Sequence, residues 1–80
     1  MNITITDIIG KKIMHGSPGL EVEEIISKVV FLKDVVEIEF ESQAYTQMEP
    51  EEFEYMLRYE ELNYKEKTHR GMSSIIFCEG

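Results

Sequence analysis

The sequence predicts one small α+β domain: an antiparallel sheet of four or five strands with a single helix packed on it in the C-terminal half. Three observations predict it. The chain has 80 residues, a length at which roughly 60 to 65% of the unfolded surface can be buried, so there is room for one thin core and reason to expect copies to associate. Val36, Ile38 and Phe40 alternate with Glu37, Glu39 and Glu41, the period-2 pattern of a strand with one wet face. Glu49-Pro50-Glu51-Glu52-Phe53 is a helix start, with proline at the first helical position and carboxylates at the positive end of the macrodipole.

Along the chain, Ile3 and Ile5 alternate with Asn2, Thr4 and Thr6, which predicts a short half-buried strand. Asp7 to Gly10 fits one helical turn capped by Thr6 or Asp7 and closed by Gly10, after which Lys11 to His15 resumes extended structure. Gly16-Ser17-Pro18-Gly19 is a loop, because proline fixes φ and glycine permits positive φ. From Leu20 to Leu32, Val22, Ile25, Ile26, Val29 and Val30 fall at helical spacing, yet the density of β-branched residues favours a strand. A two-residue turn at Lys33-Asp34 then sets Phe31 opposite Val36, Val29 opposite Ile38 and Lys28 opposite Glu39, with Phe31, Val36, Ile38 and Phe40 in the core. The helix is expected from about Pro50 to Leu62, with Phe53, Met56 and Leu57 as its core stripe. Asn63 to Gly71 reads as polar and basic, with a loop at His69-Arg70-Gly71, and Ser74 to Cys78 as a last strand.

Several chemistries lack their residues. No apolar run approaches the roughly 18 residues of a membrane span, and no basic segment followed by an apolar one marks a secretory signal. Cys78 is the only cysteine, so no intrachain disulfide can form and a cytoplasmic location is the expectation. His15, His69 and Cys78 are not at zinc-binding spacing, so no metal is expected; the histidines read as loop residues and Cys78 as a small core hydrophobe. Neither a nucleophile elbow, a P-loop nor a dinucleotide fingerprint is present, so the chain is expected to be non-enzymatic and to carry no cofactor.

Charge gives the functional expectation. The formal net charge is -8, and the stretch from Glu37 to Glu61 carries all of the excess, holding nine glutamates against Arg58 alone. Direct nucleic-acid binding needs a basic footprint and is disfavoured. Solubility alone accounts for such a charge in the plainest reading. The sharper reading uses geometry: Glu37, Glu39 and Glu41 project at intervals of about 6.6 to 6.8 Å, close to the spacing of phosphates along an extended strand, and Tyr55, Tyr59 and Leu62 follow one another at helical spacing. The expectation is a small acidic protein-binding module in which Glu37, Glu39, Glu41, Glu51, Glu52, Glu54, Tyr55 and Tyr59 engage a basic groove on a protein partner. Its extreme form is a nucleic-acid-mimicking inhibitor of the kind mobile genetic elements direct against host enzymes. The alternative is a small oligomer that holds an anionic metabolite or nucleotide between subunits through Lys11, Lys12, Lys65, Lys67 and Arg70.

Overall fold

The computed structural model describes residues 4–66 and 71–78. Where a strand was expected from the isoleucine alternation, the described part of that segment is helical: α1 covers Ile5–Ile8. Its cause is a capping box, since Asp7 N–H donates to Thr4 Oγ1 at 3.3 Å while Thr4 N–H donates to the Asp7 carboxylate at 3.0 Å. The backbone bond from Thr4 holds the Asp7 carboxyl below its usual range, helped by the Thr4 hydroxyl. Six strands and one longer helix follow: β1 Lys12–Gly16, β2 Val22–Phe31, β3 Val36–Phe40, β4 Tyr45–Met48, α2 Pro50–Tyr59, β5 Glu61–Lys65 and β6 Met72–Phe77.

The strands form one antiparallel sheet in the order β4-β3-β2-β1-β6-β5. The expected hairpin is present with its register intact: Phe31 pairs with Val36, Val29 with Ile38 and Lys28 with Glu39. Leu20 and Glu21 precede β2 and Leu32 follows it, and the rest of the ambiguous stretch, Val22–Phe31, is strand. The sheet has six strands instead of four or five because β4 lies in a segment to which no element was assigned and β5 lies where the end of the helix and a polar stretch were expected. α2 stops at Tyr59 rather than Leu62, since Glu60 takes the left-handed conformation at φ 58 and sends the chain into β5.

β2 serves two neighbours. It pairs along its first half with β1 and along its second with β3, and the register shifts between Ile26 and Lys28. Such a bulge bends a strand and increases its twist. The effect on the sheet can be sized: six strands laid flat at about 4.8 Å spacing would hold the edges about 24 Å apart. Instead Thr46 Oγ1 on edge strand β4 lies 2.5 Å from Tyr64 Oη on edge strand β5. The sheet is therefore curled into a partly open barrel.

Inside the curl, Ile13, Ile26, Ile38 and Ile75 from the central strands meet Ile8 of α1 and Phe53 and Met56 of α2, all of them buried. Each such side chain contributes about 1.5 to 3 kcal/mol through removal of apolar surface from water. Leu57 packs partly against them. Phe31 departs from expectation: it sits at the hairpin tip and is 60% exposed, although Val36 opposite it is buried. Among the described residues no helix is long and apolar enough to cross a membrane.

Candidate partner-binding surface

α2 carries the surface. Pro50 starts it, the Glu49 N–H donates to Glu52 Oε1 at 2.9 Å, and Glu51 and Glu52 oppose the positive dipole end. With Phe53, Met56 and Leu57 turned to the core, the helical repeat leaves Glu51, Tyr55 and Tyr59 along one exposed flank and Glu54 on the other. Tyr55 and Tyr59 are one turn apart, with ring centroids 4.4 Å from each other and planes at 44°. Both rings are about half exposed, so this pair shields itself from water only in part.

Between this flank and β5 lies a groove of about 380 Å³ lined by Glu51, Glu52, Tyr55, Glu61, Leu62 and Asn63. It combines three carboxylates, one aromatic face and an apolar floor. Those are the groups that receive a guanidinium or ammonium on an aliphatic stem. Glu61 was not singled out from sequence, because the helix was read through it; no glycine or asparagine marks the stop at Glu60.

The eight expected residues do not form one surface. Glu51, Glu52 and Tyr55 line the groove, and the Tyr59 ring rests at a tilt against that of Tyr55. Glu37 and Glu39 alternate with the buried Val36, Ile38 and Phe40, so they point away from the core that α2 covers and lie on the outer face of the sheet. There Glu37 accepts from Gln47 Nε2 at 2.9 Å and Glu39 faces Lys28 across the hairpin. Glu41 sits in the exposed turn after β3. Glu54 borders a different cleft, with Ile5, Phe31, Val36, Pro50, Phe53 and Leu57.

The lysines are already engaged or dispersed. Lys11 lies 3.9 Å from Glu60 and its ammonium sits 5.8 Å from the centre of the Phe77 ring, and Lys12 lies 3.7 Å from Glu23. Lys65 is exposed on β5, while Lys67, His69 and Arg70 lie outside the described residues. Among the described residues no cluster of histidine, cysteine and carboxylate side chains is placed to hold a metal ion.

His15 lies on β1, within the stretch expected to be extended, but it is not the loop side chain it was also read as: it is only 13% exposed. It faces a buried polar group that sequence reading missed altogether: Thr46, Tyr64, Glu66 and Ser73. Burial pushes the His15 imidazole below its ordinary value of 6.5, against the pull of the Glu66 and Glu24 charges. Burial also drives the Tyr64 phenol well above its ordinary 10, although the bond with Thr46 works the other way. Ser74 Oγ, elsewhere on β6, lies 3.3 Å from Gly16 O and 3.2 Å from the Glu21 carboxylate and shares its one hydrogen between them, tying the β1–β2 turn to the sheet.

Compared with protein-family models, curated proteins and solved structures, the chain matches none.

Proposed function

We propose that this chain is a non-enzymatic protein-binding module that receives a basic segment of a partner in the groove between α2 and β5. The observation that carries the reading is the make-up of that groove: Glu51, Glu52 and Glu61 around the ring of Tyr55 and the side chain of Leu62. A partner arginine laid on Tyr55 gains the ring's negative face and hydrogen bonds to carboxylates that fix its plane, while the net charge of -8 steers the encounter. In this reading the strand glutamates Glu37, Glu39 and Glu41 act at long range, because they lie on another face. Imitation of nucleic acid is the special case in which the partner's basic segment is itself a nucleic-acid site.

The test is a chemical-shift titration with an arginine-bearing peptide, followed by binding kinetics on variants. Shifts should gather at Tyr55, Leu62 and Asn63. Tyr55→Ala and the triple change of Glu51, Glu52 and Glu61 to Gln should speed dissociation, and the triple change of Glu37, Glu39 and Glu41 to Gln should mainly slow association and flatten the salt dependence. An absence of shifts with the arginine peptide, together with shifts around Lys65 on adding a nucleotide, would favour the anion-binding alternative.

A further inference from the structure

The buried polar network is not used by the groove, and hydrogen counting fixes its direction. A threonine hydroxyl has one hydrogen, and Thr46 Oγ1 donates it to Glu66 Oε1. The bond of 2.5 Å between Thr46 Oγ1 and Tyr64 Oη is therefore donated by Tyr64. With its own hydrogen committed, the Tyr64 oxygen accepts from His15 Nε2, 3.3 Å away. His15 is thereby assigned the tautomer with hydrogen on Nε2, and Nδ1 is the ring atom left to take up a proton. Ser73 Oγ donates to the other Glu66 oxygen at 3.3 Å. The chain of bonds thus runs His15 to Tyr64 to Thr46 to Glu66, and it crosses the gap between the two edges of the sheet.

We propose that this network is a pH-operated clasp, which holds edge strand β4 to edge strand β5 while His15 is neutral and lets the edges part when His15 is protonated. The titratable and charged groups facing the ring are Glu66 beyond β5, with Oε1 3.8 Å from Nε2, the Tyr64 phenol on β5, and Glu24 on β2. β3 contributes the uncharged Phe40 ring, its centroid 4.9 Å from that of His15, and on β6 the residue paired with His15 is the apolar Ile75. Two negative charges favour an imidazolium, and burial opposes it; the downward direction of the His15 shift means that burial wins. A proton arriving on Nδ1 therefore leaves a charge in a place with little water, and the relief is to admit water.

β4 is the segment that can yield. It spans Tyr45–Met48, and among the described residues its backbone pairs with β3 alone, while Thr46 reaches Tyr64 of β5 through its side chain. The sign follows from linkage: the closed state prefers the neutral ring, so its advantage is complete above the unfolded value near 6.5 and is lost as pH falls through the lowered folded value.

Backbone hydrogen exchange at about pH 7.5 and about pH 5.5, corrected for intrinsic rates, tests the clasp across the range in which histidine titrates. Protection of the β4 amides should fall severalfold at the lower pH in the native chain and in His69→Gln. It should stay level in His15→Gln, whose amide nitrogen can still donate to Tyr64 but takes up no proton. Independently, the His15 ring should titrate below 6.5 in the native chain and move up toward that value in Thr46→Val, where β4 is no longer tied. Equal acid loosening of β4 in His15→Gln, or a His15 midpoint unmoved by Thr46→Val, would overturn the proposal. Should His15→Gln fail to fold, the Thr46→Val titration still decides.

Discussion

Phe31 lies edge-on to Phe53, with ring centroids 5.8 Å apart and planes at 87°, yet Phe31 is 60% exposed and Phe53 only 3%. The same contact thus joins a residue that the core depends on to one that it does not.

The energetic asymmetry is measurable by urea unfolding. Phe31→Ala should cost about 0.5 to 1.5 kcal/mol, the worth of an exposed aromatic pair. Phe53→Ala should cost about 3 to 5 and Ile38→Ala about 2 to 5 kcal/mol, because both leave cavities. Glu39→Gln, on the outer face, should stay within about 0.5 kcal/mol of the native chain. A Phe31 variant as damaging as the Phe53 variant would show that the hairpin tip is packed in solution.

Glu60 is held at φ 58, with its N–H donating to Met56 O at 2.8 Å. For a residue with a Cβ the left-handed conformation costs about 1 to 2 kcal/mol, whereas glycine adopts it freely. Glu60→Gly should therefore raise the thermal midpoint, even though it removes the exposed Lys11 contact, since such pairs contribute little. A lowered midpoint would mean that the contact with Lys11 outweighs the backbone term.

Gly16 has φ +141, and a Cβ placed there would stand 3.3 Å from Leu20 O. Gly16→Ala should destabilise by about 1 to 3 kcal/mol through backbone strain, with exchange protection lost first around the β1–β2 turn. Thermal unfolding compared with Gly71→Ala, where an added Cβ meets open space, checks it.

Tyr64 gives an alkaline signature. Its folded-state value is raised above the ordinary 10, so the closed fold favours the neutral phenol; the corresponding stability is complete below pH 10 and is lost as pH rises further. Tyrosinate absorbance should show a late step that Tyr64→Phe removes. If the spectrum of that variant differs only in an early step, the phenol is not shielded as described.

The hairpin from Val29 to Phe40 was legible because alternation and the Lys28 and Glu39 pairing agreed on one register. β5 was missed: Leu62 and Tyr64 alternate with Glu61, Asn63 and Lys65, but the helical spacing that runs on from Tyr55 and Tyr59 to Leu62 masked it. At the start, the same Thr4 that alternates with Ile3 and Ile5 also caps a helix with Asp7, and the local capping box prevailed. The groove was half visible, since Glu51, Glu52 and Tyr55 share a helix flank, while Glu61 arrives only through the reversal at Glu60. The His15 network could not be seen in advance. It depends on the curl that brings β4 to β5, and nothing at Ser27 announces the bulge that contributes to it.

The last strand in the chain is not last in the sheet. β6 is seated between β1 and β5 and pairs with both, so on the ribosome a nascent chain that ends before Met72 holds the other described strands yet leaves β5 without a strand partner and β1, paired to β2, with one open edge. Assembly must wait for residues 72–77 to emerge, and slow emergence or premature termination leaves sticky edges. Proteolytic trimming at the C-terminal side should act in the same way, detaching edge strand β5 from β1.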